Sequence, residues 1–323
     1  MKAIVYHDYG SPDVLRLEEI EKPTAGDNDV LIKVCAASVN PYDWHFMRGL
    51  PYLVRMFVGL RKPKITRLGV DAAGRVAAVG KNVTRFKPGD EVFGAFRGAF
   101  AEYACALESG LALKPQNVSF EQAASVPIAA CTALQGLRDK GRIQPGLRVL
   151  VNGAAGGVGT FGVQIAKSFG ANVTGVCSSR NVAMVQSIGA DRVIDYTRDD
   201  FTQSGQRYDL ILDCVGNHPM TACKRVLNPK GILVMAGGTA SPWMIDVLVR
   251  SVQALVLSQF GSRKLLGMLA KMNDVDLAIL GELIRASKVT PVIDRRYPLS
   301  DVPAAIRYLE EGHARGKVVI TYD

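Results

Sequence analysis

The stretch R-V-L-V-N-G-A-A-G-G-V-G, from Arg148 to Gly159, decides the fold of this chain. Its apolar run at 149–151 is typical of a short strand that is buried on both faces. After the glycines, apolar residues recur at helical spacing as far as Gly170, a residue type that commonly ends a helix. In a doubly wound fold, a strand, a glycine-rich turn and a helix together present backbone N–H groups to a pyrophosphate. The sequence therefore predicts a dinucleotide-binding turn at this point.

The glycines depart from the usual G-x-G-x-x-G pattern, because Gly153, Gly156 and Gly159 recur at every third residue. An ordinary tight turn between a core strand and a helix is the alternative interpretation. The regular alternation of strand and helix downstream favours nucleotide binding, since parallel α/β folds are built from such units. Contacts with the cofactor are expected at five consecutive residues, Ala155, Gly156, Gly157, Val158 and Gly159.

The second predicted strand, Asn172–Cys177, is followed by Ser178, Ser179 and Arg180. A site that prefers NADH usually has a carboxylate here, which binds the ribose 2′-hydroxyl. The chain has none at this point, and two hydroxyls and a guanidinium suit a 2′-phosphate instead. The sequence thus predicts NADPH as the cofactor, with these three side chains around its adenosine end. In the alternative interpretation, the serines cap the next helix and Arg180 is solvated.

Three further strands are predicted at Asp191–Tyr196, Leu210–Val215 and Ile232–Ala236. The last two are followed by glycines, as expected where the backbone approaches a ligand at the carboxyl edge of a sheet. Val215 and Gly237 are therefore predicted to contact the cofactor.

The flanking parts of the chain have a different character. Val252–Gln259 is predicted as a sixth strand at the sheet edge, and Ser262–Ser287 as mainly helical. Ser119 and Gln122 form a capping box that begins one helix, and a second helix is predicted over Ile128–Lys140. The N-terminal part is rich in strands separated by turn residues, at Ala3–Tyr6, Leu15–Glu19, Val30–Ser38, Gly74–Val79, Glu91–Ala95 and Ala99–Ala106. A last strand, Val318–Thr321, is expected to rejoin this part.

Composition restricts the class of protein. Apolar residues make up 48% and charged residues 21% of the 323 residues, which is ordinary for a globular protein with two domains. The N-terminus reads as a strand and not as a signal peptide, so a cytoplasmic location is expected. The six cysteines form no paired motif, which favours reduced thiols, and the four histidines are scattered, so no metal site is predicted.

The net charge of +9 does not by itself indicate nucleic-acid binding, because no recognised module accompanies it. A basic surface suits a polyanionic cofactor. The segment Leu50–Leu68 mixes bulky apolar residues with five basic ones. Three interpretations remain open for it: a flap over a lipophilic substrate, a weak peripheral contact with an anionic membrane, or a packed loop with solvated charges.

Motifs across nearly all of the chain resemble those of medium-chain dehydrogenases/reductases, in the zinc-independent quinone oxidoreductase branch. They are M-K-A-I-V-Y at the start, V-N-P-Y-D at Val39–Asp43, G-V-D-A-A-G-R-V at Gly69–Val76, F-K-P-G-D-E-V at Phe86–Val92, A-A-G-G-V-G, I-G-A-D at Ile188–Asp191, and H-A-R-G-K at His313–Lys317.

This resemblance implies an α/β fold in which a Rossmann doubly wound parallel sheet is joined to a GroES-like, β-rich catalytic domain. The catalytic domain is expected at 1–122, completed by 263–323, and the NADPH-binding domain at 123–262. NADPH is expected in the cleft between them, where it reduces a small lipophilic quinone or the C=C bond of an α,β-unsaturated carbonyl. A homodimer paired through the edge strand near Val252–Gln259 is also implied.

Zinc-dependent relatives have Cys near Ser38 and Gly-His-Glu in place of Gly69-Val70-Asp71, together with a four-cysteine lobe. All three features are missing from this sequence. Without a metal Lewis acid, an alcohol dehydrogenase lacks its means of stabilising an alkoxide. Hydride addition to an electrophilic alkene or quinone is the chemistry that remains.

The resemblance also assigns roles to residues outside the glycine-rich turn. Asn40 matches an asparagine that faces the nicotinamide ribose or the substrate, where an amide N–H would stabilise a developing enolate. A turn residue before Pro41 is the alternative for Asn40. Tyr42 and Tyr52 are candidate proton donors, with solvent as the alternative source of the proton. Asp43 is expected to organise the loop.

On the cofactor side, Thr132 resembles the residue that contacts the nicotinamide carboxamide, and Tyr196 the residue beside the adenosine. Arg315 and Lys317 match the C-terminal R-G-K, where relatives bring a basic side chain near the cofactor. Surface solvation is the alternative for these two. Competing functions are a 2-alkenal or enoyl-thioester reductase and, in another class, a non-catalytic NADPH-binding protein.

Overall fold

The computed structural model describes residues 1–52, 55–237, 252–254, 257–259 and 261–322. The chain forms two compact units. The first unit comprises Met1–Ile128, Met272–Ala286 and Pro291–Asp323, and the second comprises Ala129–Lys271 and Ser287–Thr290.

The first unit is built on a seven-stranded sheet in the order β14-β15-β3-β4-β5-β7, with β6 paired to β3, and on a two-stranded sheet. Its strands are β1 (Lys2–Val5), β2 (Arg16–Glu19), β3 (Asp29–Val39), β4 (Asp71–Val79), β5 (Glu91–Ala95), β6 (Tyr103–Leu107), β7 (Leu111–Leu113), β14 (Ile293–Pro298) and β15 (Lys317–Thr321). The long strand β3 pairs with three others and is buried along most of its length. The prediction that the last strand rejoins the N-terminal part is confirmed, because β15 pairs antiparallel with β3.

The second unit contains six parallel strands in the order β10-β9-β8-β11-β12-β13. They are β8 (Arg148–Asn152), β9 (Asn172–Cys177), β10 (Arg192–Asp195), β11 (Tyr208–Asp213), β12 (Leu227–Met235) and β13 (Lys264–Gly267). Every strand contributes at least one residue to a common buried cluster, among them Leu150, Val176, Ile194, Ile211, Leu233 and Leu265. Burial of one such side chain contributes about 1.5–3 kcal/mol.

Helices cover both units. The first unit has Pro41–Arg48, Arg55–Val58, Phe120–Ala124, Asp274–Arg285 and Val302–Glu310. The second has Pro127–Gln135, which begins at the unit boundary, Gly157–Ser168, Val182–Ser187 and Met220–Arg225, together with the helical residues 252–254 and 257–259. The predicted capping box is confirmed, since the Gln122 N–H donates to Ser119 Oγ and the Ser119 N–H donates to Gln122 Oε1. The predicted helix over Ile128–Lys140 corresponds to Pro127–Gln135 followed by a π-helical turn, Gly136–Lys140.

The predicted fold class is confirmed: a doubly wound parallel sheet accompanies a β-rich unit. The order of strands reverses between β8 and β11, because β9 lies on one side of β8 and β11 on the other. In folds of this kind, the ligand crevice lies outside the carboxyl ends of the strands at this reversal.

Two predictions at the sheet edge are wrong. Val252–Gln259 is not a strand where the structure describes it, since residues 252–254 and 257–259 are helical. The sixth strand is β13, which lies inside the stretch predicted to be mainly helical and pairs with β12. The predicted domain boundary at 262/263 is therefore misplaced, because β13 completes the parallel sheet and the second unit extends to Lys271.

None of the helices among the described residues is both long and apolar enough to cross a membrane. No group of three or more His, Cys, Asp or Glu side chains in that part of the chain is arranged to hold a metal ion.

Candidate active site

The glycine-rich turn lies at the carboxyl end of β8, beside the reversal in strand order. Gly153 has φ +81°, a conformation that favours glycine. The following helix begins at Gly157, with Gly156 in extended conformation before it and no side-chain hydrogen bond at this helix end. The first N–H groups of a helix are donors that need an external partner, and the helix dipole favours an anion there.

Two glycines of the turn have different surroundings. A Cβ at Gly159 would lie 2.0 Å from the carbonyl oxygen of Gly153, so that position requires glycine for the helix and the turn to pack. A Cβ at Gly156 would find its nearest neighbour, the same oxygen, at 3.5 Å, which is ordinary contact. Close packing therefore explains Gly159, whereas a side chain at Gly156 would meet no protein atom closer than ordinary contact.

A polar network centred on the buried residues Asn152 and Asp213 holds the turns at the ends of two neighbouring strands. Asn152 Nδ2 donates to Asp213 Oδ1 and to Asn217 Oδ1, at 2.9 Å each. The same Asp213 oxygen accepts the N–H groups of Val215 and Gly216, at 3.1 and 2.9 Å. The network thus connects the ends of β8 and β11, and sequence analysis did not identify it.

Val215 lies beside the glycine-rich turn, and Gly237 lies beside Cys214, just after β11. A Cβ at Gly153 would lie 2.6 Å from Val215 Cγ2, and a Cβ at Gly237 would lie 2.2 Å from the Cys214 carbonyl oxygen. Val215 is 39% exposed. The carboxyl ends of β8, β11 and β12 therefore converge, and the predicted contact residues Val215 and Gly237 lie at this convergence.

The turn after β9 carries the predicted 2′-phosphate residues. Ser178 is half-buried, and its Oγ accepts a hydrogen bond from Asn181 Nδ2 at 3.1 Å. Arg180 is exposed. Neither serine caps the next helical turn in the way the alternative interpretation requires, because Ser178 makes no capping hydrogen bond with its side chain and Ser179 Oγ donates to Asp195 Oδ2.

Asp195 was not identified from the sequence. The parallel register places it opposite Cys177, so β9 and β10 end side by side. Its other oxygen, Oδ1, accepts hydrogen bonds from Thr197 N and Thr197 Oγ1, at 3.0 and 2.8 Å. The pKa of the Asp195 carboxyl lies below its ordinary value, and the hydrogen bond from Ser179 is the largest cause. The bonds from Thr197 lower the pKa further. A carboxylate therefore does reach this turn, although from the neighbouring strand.

The remaining predicted cofactor contacts differ in exposure. Tyr196 follows β10, donates its N–H to the Cys177 carbonyl oxygen and is 55% exposed. Thr132 is 7% exposed on the helix Pro127–Gln135, and Ala155 is 7% exposed within the glycine-rich turn. Gly157 and Val158, at the start of the helix, are half-buried.

The first unit contains a buried polar cluster, formed by Asn40, Asp43, Asp71 and Lys317, each at most 3% exposed. Lys317 Nζ donates to Asn40 Oδ1 at 2.5 Å and lies 3.7 Å from Asp71 Oδ2. Asn40 Nδ2 donates to Asp71 Oδ2 at 3.0 Å and to the Ser38 carbonyl oxygen at 3.4 Å. Two carboxyl groups, one ammonium and one amide are therefore held together out of water.

Backbone N–H groups complete the cluster. Asp43 accepts from the N–H of Asn40 at 2.8 Å and of Gly69 at 3.0 Å, which confirms that it organises the loop. Asp71 accepts from the N–H of Ile128 at 3.1 and 3.2 Å. The cluster thus connects the end of β3, the start of β4, the start of β15 and the helix Pro41–Arg48.

Burial changes the acidity of these groups because it disfavours their charged forms. It raises the pKa of the Asp43 carboxyl to about 7, against the opposing effect of the two N–H groups. It raises the pKa of the Asp71 carboxyl to about 6, against the opposing effect of Lys317. It also lowers the pKa of the Lys317 ammonium.

This geometry shows the surroundings of Asn40 and Lys317. Asn40 Nδ2 donates to Ser38 and Asp71, so the amide is oriented within the cluster, and its role toward an enolate stays a prediction. Lys317 is not a solvated surface charge, since it is 3% exposed and its ammonium is directed at Asn40, Val39 and Asp71. Both residues position other groups inside the unit.

The two candidate proton donors lie nearer the surface. Tyr42 is 42% exposed and stacks on Phe46, with the ring centroids 4.2 Å apart. Partial burial raises its pKa, which makes it a weaker acid. Tyr52 is 43% exposed, and the Arg55 guanidinium lies 5.0 Å from its ring centroid. Downstream, the apolar side chains of Met56, Leu60 and Ile65 are also exposed.

Comparison with known proteins extends across the whole chain. Residues 26–116 match the model of the alcohol dehydrogenase GroES-like domain, and residues 188–320 match that of the zinc-binding dehydrogenase domain. The chain is 37% identical to the 2-methylene-furan-3-one reductase of Solanum lycopersicum, over 99% of this chain and 79% of the relative. It is 36% identical to the chloroplastic NADPH-dependent alkenal/one oxidoreductase of Arabidopsis thaliana, with the same coverage. The solved quinone oxidoreductase of Coxiella burnetii superimposes with a TM-score of 0.85, at 32% identity and 99% coverage of both chains.

Proposed function

The chain belongs to the quinone oxidoreductase branch of the medium-chain dehydrogenase/reductase family, and from this we propose that it is an NADPH-dependent reductase of quinones or α,β-unsaturated carbonyls. The observation that carries the proposal is the helix start at Gly157 at the carboxyl end of β8, where the N-cap is Gly156, no side chain caps the helix, and a Cβ at Gly156 would meet no protein atom closer than 3.5 Å. The printed names of the relatives, a furanone reductase, an alkenal/one oxidoreductase and a quinone oxidoreductase, support this substrate class.

The residues of the second unit fit a dinucleotide. The N–H groups at the start of the helix Gly157–Ser168 would bind the pyrophosphate, and Asn152 and Asp213 hold the adjoining turns in place. Ser178 and Arg180 would bind the 2′-phosphate. Arg180 supplies a planar set of hydrogen-bond donors. Ser178 Oγ accepts a hydrogen bond from Asn181, so its own hydroxyl hydrogen can be donated to the phosphate. NADPH is accordingly the cofactor that we propose.

When bound, the reduced nicotinamide supplies a hydride, and the chemistry is otherwise that of the cofactor and the substrate. The residues of the first unit hold the catalytic loop. Asp43 fixes the start of the helix Pro41–Arg48, and Lys317 with Asp71 orients Asn40. Because the pKa of Tyr42 is raised and its ring is exposed, we assign the final protonation to solvent.

A reaction without zinc is part of the proposal. At the positions where zinc-dependent relatives carry Cys and His, this chain has the Ser38 hydroxyl and the Val70 side chain, which are poor zinc ligands. Asp71, opposite Ser38 in the sheet, already faces the Lys317 ammonium. This donor set does not fit a zinc ion, whereas an electrophilic alkene or quinone accepts hydride without one.

A lipophilic substrate is supported by the segment that follows the helix Pro41–Arg48. Met56 is 66% and Leu60 is 70% exposed, so this stretch has exposed apolar surface, which supports binding of a lipophilic ligand. We therefore favour the substrate-flap interpretation of Leu50–Leu68 over the membrane contact and the packed loop.

The test is oxidation of NADPH by the purified protein, followed by the loss of its near-ultraviolet absorbance. The substrates are a naphthoquinone, an enone, an alkenal and a crotonyl thioester. Turnover of the quinone, the enone or the alkenal is the expected result, and exclusive turnover of the thioester would identify an enoyl-thioester reductase. Binding of NADPH without turnover of any of the four would contradict the proposal and favour a non-catalytic binding protein.

A further inference from the structure

The Asp195 carboxylate holds a hydroxyl group in the turn where the proposed nucleotide site would take the adenosine ribose. Ser179 lies in the turn after the second strand of the parallel sheet, where doubly wound folds bind that ribose, and its side chain is exposed. Its Oγ donates to Asp195 Oδ2 and lies 3.0 Å from Thr197 Oγ1. The Thr197 hydroxyl in turn donates to Asp195 Oδ1 at 2.8 Å.

The direction of these bonds follows from the charge of Asp195. The hydrogen bonds that Asp195 accepts keep the pKa of its carboxyl low, so Asp195 is ionised at neutral pH. An ionised carboxylate can only accept hydrogen bonds. The Ser179 and Thr197 hydroxyls carry one hydrogen each, and both hydrogens are directed toward the same carboxylate. Ser179 therefore presents only oxygen lone pairs to a ligand.

NADPH and NADH differ in how they can interact with a Ser179 hydroxyl that only accepts hydrogen bonds. A 2′-phosphate offers acceptors only, so it gains nothing from a lone pair and is repelled by the Asp195 charge, which Arg198 at 3.7 Å offsets in part. A ribose 2′-hydroxyl has a hydrogen to donate to Ser179 Oγ. To donate to a phosphate, Ser179 must first leave Asp195.

We infer that Asp195 is a specificity-determining residue, which holds Ser179 as an acceptor and thereby enables the enzyme to use NADH as well as NADPH. The inference rests on the proposed nucleotide site. Ser178 and Arg180 favour the 2′-phosphate, Asp195 acting through Ser179 favours the 2′-hydroxyl, and the resulting preference for NADPH is modest. Asp195 is a positioning residue here, since Ser179 is the group that touches the ribose.

The experiment measures binding of adenosine fragments by calorimetry, which is independent of turnover. The ratio of interest is the Kd of AMP divided by the Kd of adenosine 2′,5′-bisphosphate. In Asp195→Ala this ratio should rise about tenfold, since loss of the acceptor restores a donor to the phosphate and removes a like charge. In a Ser179→Ala background the same change should alter the ratio less than about threefold, because only the charge effect remains.

Two controls accompany these variants. Asp199→Asn removes the same charge from an exposed position four residues further along the loop and should leave the ratio unchanged. Ser179→Ala alone should abolish the difference in Kd between AMP and 2′-deoxy-AMP, a comparison that stays informative if Asp195→Ala fails to fold.

The outcomes separate the two proposals. If the wild-type protein binds neither fragment nor NADPH, the proposed function itself fails. If it binds them and the ratio is the same in wild type and Asp195→Ala, the inference about Asp195 is overturned and the nucleotide site stands. An equal shift with and without Ser179 would also overturn it, because the carboxylate would then act by charge alone. With cofactors, kcat/KM for NADPH relative to NADH should shift in the same direction as the fragment ratio.

Discussion

Lys317 Nζ lies 2.5 Å from Asn40 Oδ1, although 277 positions separate the two residues along the chain. The contact forms because β15 pairs antiparallel with β3, with Val318 opposite Val39. The ammonium is enclosed with two carboxyl groups, so its removal affects both charge balance and the orientation of Asn40.

The first prediction concerns Lys317→Met, which keeps most of the side-chain volume and removes the charge. Asp71 would lose the cation 3.7 Å from its Oδ2 in a site that water does not reach. Loss of one partner of a buried ion pair typically costs about 3 kcal/mol or more of stability. Denaturant unfolding measures the effect.

Lys62→Met is the matched control, since Lys62 pairs with Asp8 at 3.5 Å while its side chain is 73% exposed. A pair of this kind contributes at most about 1 kcal/mol. If Lys317→Met and Lys62→Met lower the unfolding free energy equally, the buried cluster contributes no more to stability than an exposed ion pair.

The second prediction concerns the pH dependence of stability. The pKa of Asp43 is about 7 in the folded protein, and an unfolded aspartate has an ordinary pKa of about 3.9. Between pH 4 and 7, roughly, the folded state therefore holds a proton that the unfolded state has released, so this group makes stability fall as pH rises through that window and level off above it.

Asp43→Asn should remove this pH-dependent part of the unfolding free energy. The variant should also lose one of the backbone hydrogen bonds that Asp43 accepts. The quantity to measure is the difference in unfolding free energy between wild type and variant from pH 4 to pH 8. Parallel curves for the two proteins would mean that Asp43 titrates normally.

The third prediction separates packing from ligand space in the glycine-rich turn. Gly159→Ala places a Cβ 2.0 Å from the Gly153 carbonyl oxygen, so the helix must move, and both thermal stability and nucleotide binding should fall. Gly156→Ala meets nothing closer than 3.5 Å, so the variant should fold normally yet bind NADPH about tenfold more weakly, since the methyl group occupies the phosphate space. Thermal melts and titration with NADPH report the two effects, and unchanged NADPH affinity in Gly156→Ala would place the pyrophosphate elsewhere.

The fourth prediction tests the proposed role of Arg180. Arg180→Ala should raise the KM for NADPH about tenfold or more and leave the KM for NADH nearly unchanged, because only NADPH carries the 2′-phosphate that the guanidinium would bind. Steady-state kinetics with each cofactor is the measurement. Equal increases for both cofactors would assign Arg180 to another part of the nucleotide.

Local patterns were sufficient to predict much of this structure. The strand, turn and helix around Gly153–Gly159 follow from neighbouring residues, as does the capping box at Ser119. Val252–Gln259 was wrongly predicted as a strand because a short apolar run does not distinguish a strand from a buried helix.

The site residues that sequence analysis missed depend on the register between strands. Asp195 reaches Ser179 because β9 and β10 end together, and Asp71 meets Lys317 because both flank the end of β3. The motif Gly69-Val70-Asp71 drew attention to Asp71 as a marker of the missing zinc, but no local pattern indicated that an ammonium would face it.

The strand order of the seven-stranded sheet has a consequence for synthesis on the ribosome. The second unit comes almost entirely from one continuous stretch, Ala129–Lys271, whereas β15 inserts beside β3 from the far end of the chain. A growing polypeptide therefore has Asp43 and Asp71 long before it has Lys317, whose ammonium faces Asp71 in the folded unit. Vectorial translation thus delivers every residue of the second unit before the last strand of the first unit, although the first unit was begun earlier.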